Sequence, residues 1–131
     1  METKFSDGDR QFITRENRNK DVLVKFENLL DDYFESDKAR TMGLPTVQYC
    51  AEELCMSPNY FSDMLRKETG KTALNFIHDK VVDLGKTYLV SSENTITEIA
   101  YCLGFQYSQH FTRLFKKEVG CTPNEYRLQF K

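Results

Sequence analysis

The sequence predicts an all-α fold: two helix-turn-helix subdomains joined by a long connecting helix, about seven helices in all. Three observations predict it. One helix pattern occurs twice, because Ala51, Leu54, Phe61, Leu65, Lys67, Glu68, Gly70 and Thr72 recur as Ala100, Leu103, Phe111, Phe115, Lys117, Glu118, Gly120 and Thr122. The offset is 49 residues before the turn and 50 after it, as one extra residue in a turn would produce while the packing positions are kept. Between the copies, Leu74, Ile77, Val81, Leu84 and Tyr88 step by three and four, which marks one continuous amphipathic helix. Helix-opening signatures at Thr46, Ser57-Pro58, Thr95–Glu98 and Thr122–Glu125 then divide the pattern into short helices.

Residues 1–19 are polar and mixed in charge, with Phe5, Phe12 and Ile13 the only large apolar side chains, so they read as a flexible tail or linker. The double helix-turn-helix domain occupies 20–131. From Asp21 onward Val22, Phe26, Leu29, Leu30, Tyr33 and Phe34 share one face, opposite Lys25, Asn28, Asp31, Asp32 and Glu35. This leading helix ends near Ser36, and its continuous stripe marks it as a core element rather than a partner-binding surface. Asp37–Pro45, containing Gly43 and Pro45, reads as a loop.

The first unit, 46–70, opens with Thr46 as N-cap and buries Val47, Cys50, Ala51 and Leu54; small Ala51 lets a second helix cross closely. Met56-Ser57-Pro58 is the turn, with Ser57 capping a helix whose first residue is proline, where the missing N–H costs nothing. That helix turns Phe61, Met64 and Leu65 inward and leaves Asn59, Ser62, Asp63 and Arg66 as an outward stripe. The connecting helix, 73–91, spans about 27 Å at 1.5 Å per residue. The second unit, 95–120, opens with the Thr95/Glu98 capping box and buries Ile96, Ile99, Ala100 and Leu103. Gly104 suits a left-handed turn residue and Phe105 anchors the turn. Phe111, Leu114 and Phe115 pin the next helix, so Ser108, Gln109, Thr112, Arg113 and Lys116 form its solvent stripe. Thr122-Pro123-Asn124-Glu125 starts a last short helix through Tyr126 and Leu128.

Two helical modules on a fixed spacer imply a reader of two successive major-groove segments, which lie about 34 Å apart on B-DNA. Charge runs against easy binding. The net charge is −2, with eight basic and ten acidic residues in 1–44 and ten of each in 45–131. Attraction to phosphate must then come from local groups such as Arg66, Lys67, Arg113, Lys116 and Lys117, and non-specific binding is expected to be weak.

The segment from Val47 to Arg127 resembles the C-terminal DNA-binding domain of AraC-type (AraC/XylS) transcription regulators. The residues that carry the resemblance are Ala51, Leu54, Ser57-Pro58, Tyr60 and Lys67-Glu68-Thr69-Gly70 in the first half. In the second half they are Ile99-Ala100, Leu103-Gly104-Phe105, Phe111, Phe115-Lys116-Lys117, Gly120, Thr122-Pro123 and Glu125-Tyr126-Arg127. They cover about two-thirds of the chain. The resemblance implies that the second helix of each unit enters a major groove and that the connecting helix sets their separation. Four positions depart from the pattern: Val81 where an arginine is frequent, Gly85 where alanine is usual, Cys55 in place of the turn glycine matched by Gly104, and Asp63 where a basic or amide side chain suits DNA better.

Side-chain chemistry then assigns contacts. Arg113 suits a bidentate contact to guanine O6 and N7, while Gln109 and Asn59 suit adenine N6 and N7. Asp63 is repelled by phosphates but can accept from cytosine N4; Ser62, Ser108 and Thr112 are adaptable. Lys116, Lys117, Arg66 and Lys67, one turn farther along, suit phosphates. The expected partners are double-stranded DNA, RNA polymerase, and a sensing or dimerising domain in a longer native chain, since residues 1–44 have neither the length nor the strand pattern for one. The alternative is a helical protein-interaction module with weakened DNA binding, favoured by the acidity and by Asp63. Catalysis is not expected, because no phosphate loop or nucleophile motif accompanies His110 near Cys102 or Glu98 with Glu118. No cofactor or metal is expected either. Cys50, Cys55, Cys102 and Cys121 have no CxxC spacing and read as reduced residues packing as small hydrophobes; His110 reads as a partly packed helix residue and His78 as a surface one. No apolar run approaches a membrane span and no leader is evident, which points to a cytoplasmic protein.

Overall fold

The computed structural model describes residues 15–131, and those residues form eight helices and no strand. They are α1 (Arg15–Glu35), α2 (Lys38–Met42), α3 (Val47–Glu53), α4 (Pro58–Thr69), α5 (Ala73–Ser91), α6 (Ile96–Cys102), α7 (Ser108–Val119) and α8 (Pro123–Phe130). The pairs α3/α4 and α6/α7 are the two helix-turn-helix units, and α5 joins them.

Local chemistry sets the helix ends. Thr46, Ser57, Thr72, Thr95 and Thr122 each accept a hydrogen bond from the backbone N–H three residues on, filling one of the donors a helix start leaves unpaired. At Thr72, Thr95 and Thr122 the bond is reciprocated by Asn75, Glu98 and Glu125, so these are full capping boxes. The Thr72/Asn75 box has no sequence signature of the usual kind, because asparagine stands where glutamate or glutamine marks such a box. Gly70 and Gly120 close α4 and α7 in the left-handed conformation.

Burial divides into two clusters. The first gathers Phe26 and Leu30 from α1, Cys50 and Ala51 from α3, Phe61, Met64 and Leu65 from α4, and Ala73 and Ile77 from α5. The second takes Val81, Val82 and Leu89 from α5, then Ile99, Ala100, Leu103, Phe105, Phe111 and Phe115. Aromatic rings meet edge-on in both, with Phe26 and Phe61 perpendicular at 5.0 Å and Phe111 and Phe115 at 5.7 Å. The leading helix is a core element, as its stripe predicts. It is also tied to the connecting helix by an ion pair between Asp31 and Lys80.

The structure corrects four details. Helix α1 begins at Arg15, so residues 15–19, read as tail, are helical; Phe5, Phe12 and Ile13 lie outside the described residues. The sequence there has no apolar period, yet adding good helix formers to an existing helix is inexpensive. Part of the 37–45 loop is the short helix α2, anchored by buried Ala39, and it raises the count above seven. The buried line of α5 runs Ala73, Ile77, Val81, Gly85, Leu89, with Leu74 half exposed and Leu84 and Tyr88 half buried. The line follows steps of four because Phe111 rests on Gly85: a Cβ there would stand 3.0 Å from the Phe111 ring. On α8, Leu128 is exposed, and the helix instead packs through Tyr126, whose ring meets Phe115 edge-on at 5.5 Å.

The segment before the first unit docks on the turn of the second. Gly104 has φ +104°, and a Cβ on it would come within 2.8 Å of the Gly43 carbonyl carbon and the Leu44 nitrogen and 3.2 Å of the Ala39 carbonyl oxygen. Tyr33 donates from its hydroxyl to the Gly43 carbonyl at 2.7 Å, and Arg40 donates to the Cys102 sulfur at 3.4 Å. At the other end, Arg127 donates to the Leu89 carbonyl at 2.9 Å and to the Ser92 carbonyl at 3.2 Å, filling acceptors left open where α5 ends.

Backbone contact at Gly104 has a measurable consequence. Gly104→Ala adds a left-handed penalty and a clash with backbone that cannot step aside, and is expected to cost about 2–4 kcal/mol. Gly120→Ala carries a similar φ of +99° but meets nothing within 4 Å, so it is expected to cost only about 1–2 kcal/mol. Chemical denaturation of both variants checks the order; equal losses would show that the docked segment yields freely.

Candidate nucleic-acid interface

The second helix of each unit presents the residues singled out from the sequence. On α4, Asn59, Asp63, Arg66 and Lys67 are exposed and Ser62 is half buried. On α7, Gln109, Arg113, Lys116 and Lys117 are exposed, while Ser108 and Thr112 are half buried. The burial follows from helical geometry. Phe61 and Phe111 are fully buried, and residues two before, two after and five after each phenylalanine point to the far side. These are Asn59, Asp63 and Arg66 in the first unit and Gln109, Arg113 and Lys116 in the second. Ser62 and Thr112 lie a quarter-turn round, which explains their partial cover.

The two faces therefore correspond position by position at the offset of 50, with Asn59 matching Gln109, Asp63 matching Arg113, Arg66 matching Lys116 and Lys67 matching Lys117. All but one pair keep a donor-rich chemistry. Asp63 stands where the second unit has its arginine, and it lines a depression with Asn19 of α1, Tyr60, Lys67 and Glu68.

The turns diverge as well. Cys55, at the position matched by Gly104, keeps the left-handed conformation at φ +60° despite its side chain, a strain of order 1–2 kcal/mol. The Met56 N–H donates to the Ala51 carbonyl at 2.9 Å and the Phe105 N–H to the Ala100 carbonyl at 2.9 Å, so both turns close by the same bond. Helix α4 has its Ser57 cap, whereas α7 follows Tyr107 with no side-chain cap. The His110 N–H donates to the Tyr107 carbonyl at 3.1 Å, and the Ser108 and Gln109 N–H groups receive no side-chain cap.

The cysteines and histidines fall differently from expectation. All four cysteines are free, but only Cys50 is buried; Cys102 and Cys121 are half buried and Cys55 is exposed, because the turn conformation turns its side chain away from the core. Burial pushes the Cys50 thiol up to about 11, with the Glu53 carboxylate adding to the effect. His110 is exposed rather than partly packed and meets Tyr107 edge-on at 5.6 Å, while His78 is half buried. Cys102 pairs with Arg40 rather than with His110, and Glu98 is engaged in its capping box. Among the described residues no group of three or more potential metal-ligating side chains comes together, and no helix is long and apolar enough to cross a membrane.

The helix-turn-helix domain family matches residues 50–129. The chain is 37% identical over 82 residues to the HTH-type transcriptional regulator YobQ of Bacillus subtilis, covering 63% of this chain and 34% of that protein. It is 30% identical over 77 residues to the arabinose operon regulatory protein of Escherichia coli, covering 59% of this chain and 26% of that one. It thus spans about a third or less of these curated relatives. The C-terminal domain of AraT, a response regulator from Geobacillus stearothermophilus, has the same fold, with a TM-score of 0.72 at 27% identity over 82% of this chain and 84% of that one. The DNA-binding domain of AdpA, a global transcriptional factor crystallised with a target DNA, superposes with a TM-score of 0.68 at 20% identity over 86% of this chain and 91% of its own.

Burial predicts the order of thiol reactivity. At pH 8 an alkylating reagent should modify Cys55 first and Cys102 and Cys121 more slowly, sparing Cys50 until the protein unfolds, and a reducing agent should leave the melting temperature unchanged. An unfolded thiol ionises near pH 9 and the folded Cys50 near 11, so the unfolded chain releases this proton first and stability should fall as pH rises through that interval. Mass spectrometry of the alkylated protein and melting curves across alkaline pH check both.

Proposed function

We propose a mode of action from one plain premise: the chain belongs to the AraC-type helix-turn-helix family of transcription regulators. It acts as a sequence-specific DNA-binding regulator, with α4 and α7 each entering a major groove and α5 setting the distance between them. The observation that carries this reading is the matched pair of outward faces at an offset of 50, since duplication of a core alone would not preserve polar chemistry on the side away from it. The 19 residues of α5 span about 28 Å, and the widths of the two units make up the difference to one turn of B-DNA, about 34 Å.

Within this reading α7 is the principal reader. Arg113 contacts guanine and Gln109 adenine from the centre of the exposed face, Ser108 and Thr112 adapt at its edge, and Lys116 and Lys117 hold phosphates. On α4, Asn59 and Ser62 read bases, Arg66 and Lys67 anchor, and Asp63 restricts the base it faces. The similar fold of the AdpA DNA-binding domain, crystallised with a target DNA, supports the same mode here. A sensing or dimerising domain in a longer native chain, with RNA polymerase as a partner at the promoter, completes the reading. Such a regulator works in the compartment that holds DNA, here the cytoplasm. Asp63 and the net charge of −2 favour a second reading, a helical protein-interaction module with weakened DNA binding. Selection from genomic DNA followed by footprinting separates the two. The first predicts a protected site of about twenty base pairs with two segments one helical turn apart; no enrichment at low salt would leave the second.

Two substitutions test the division of labour. Arg113→Ala should relax preference at one base position, costing about 1–3 kcal/mol of discrimination, whereas Lys116→Ala or Lys117→Ala should weaken all sequences alike and reduce the salt slope by about one. Binding-site selection with each variant, with titrations at several salt concentrations, is the measurement.

Asp63→Asn should raise affinity for random duplex at low salt, by removing a carboxylate from the face turned toward phosphates. If Asp63 accepts from a cytosine, discrimination at one position of the segment facing α4 falls as well. An unchanged affinity for both specific and random duplexes would mean that this face never approaches DNA.

A further inference from the structure

Between the connecting helix and α7 lies an open cavity of about 290 Å³ walled by His78 of α5, Phe105 of the turn, and His110, Arg113, Leu114 and Lys117 of α7. Four of these six residues carry nitrogen donors and none is acidic. Three other cavities mix their charges: Arg40 shares one with Glu35 and Asp37, Lys67 another with Asp63 and Glu68, and Lys71 and Lys80 a third with four carboxylates. Among the described residues none of the four donors here is in an ion pair. In a chain of net charge −2, Arg113 and Lys117 thus share a wall that holds no acidic side chain among the described residues.

The walls hold the donors in place. Phe105 is 8% exposed and forms a fixed apolar floor with half-buried Leu114. Tyr107 meets the His110 imidazole edge-on, their planes at 78°. The first unit has a depression at the matching positions, lined by Tyr60, Asp63, Met64 and Lys67, but there a tyrosine and a carboxylate stand in place of His110 and Arg113.

We infer that this cavity is a phosphate-binding site that takes a backbone phosphate of the DNA read by α7, and that its two imidazoles make DNA affinity rise as pH falls. The inference rests on the DNA-binding reading above. Lys117 supplies the permanent charge that meets the phosphate, Arg113 reaches past it to the base and adds only to the local positive field, and a protonated imidazole donates from both ring nitrogens where a neutral one donates from one. Imidazoles change form between about pH 5 and 8, and a phosphate between them favours the charged form. The bound state then holds more protons than the free one, so affinity must fall as pH rises. The charged and titratable groups facing the imidazoles are Arg113 and Lys117 from α7, Tyr107 from the turn, and each other; α5 adds only His78 to the wall. His78 thereby brings the connecting helix itself into contact with the DNA backbone.

The chain has two histidines, so the protons on their imidazole Cε1 atoms give two separate magnetic resonance signals. The test follows both signals while a random twenty-base-pair duplex, or inorganic phosphate, is titrated into the full chain at constant ionic strength. Duplex affinity is measured in parallel at pH 6 and pH 8 for the wild type, His78→Gln, His110→Gln and the double variant. The expected result is about tenfold tighter duplex binding at pH 6, a dependence lost in the double variant, and a shift of both signals on adding duplex. Inorganic phosphate should move the same signals more weakly. Wild-type affinity independent of pH, or a dependence retained by the double variant, overturns the proton linkage. Duplex binding with both signals unmoved overturns the site and leaves the DNA-binding reading intact. Movement with inorganic phosphate but no duplex binding at either pH sustains the anion chemistry and overturns the DNA-binding reading.

Discussion

Everything else in this molecule depends on α5 being buried in two cores at once. A helix of 19 residues in isolation is marginal in water; here Ala73 and Ile77 hold one end in the first cluster while Val81, Val82 and Leu89 hold the other in the second. Neither unit is large enough to bury a core without it. Their shared element becomes a spacer whose length is set by hydrogen-bond geometry, and Arg127 and the Thr72/Asn75 box hold its two ends. The Gly104 turn adds a second tie, because the segment that precedes the first unit rests backbone to backbone on the second. The two recognition helices are thus fixed relative to each other by a helix on one path and a docked loop on another.

The duplicated units have kept their packing and most of their outward stripe, and have diverged at a few surface positions. Phe61 and Phe111, Leu65 and Phe115, Ala51 and Ala100 do the same work in the two cores. Outside the cores, Asp63 opposes Arg113, Tyr60 opposes His110 and strained Cys55 opposes Gly104. Core positions answer to close packing, which penalises any change of volume, whereas an outward position answers only to what it meets. The divergence lies on the side of the two helices that faces away from the cores.

Net charge is a poor guide to such a protein. The balance of −2 sums unlike elements: α1 carries six carboxylates against four cations and α5 two of each, whereas α7 carries Arg113, Lys116 and Lys117 against Glu118 alone. What a phosphate meets is the local arrangement, since exposed charges beyond about 10 Å are largely screened at ordinary ionic strength.

The sequence by itself determined the repeat, the helices with strong caps, the two cores and the outward stripes, because each is a local pattern with a period or a signature of its own. Phe26, Phe61 and Phe111 needed no structure to be placed inside, nor Arg113 outside. The start of α1 at Arg15 and the short α2 left no such mark: one is a polar extension of an existing helix, the other a few residues held by contact with the distant Gly104 turn. The face of α5 that is buried was likewise decided by its neighbours, for a helix clasped from several sides buries whichever line lets Phe111 approach Gly85. The place of His78 in the wall with His110 had no sequence signal, since the other wall residues lie within 105–117 and only the packing of α7 against α5 brings His78 to them.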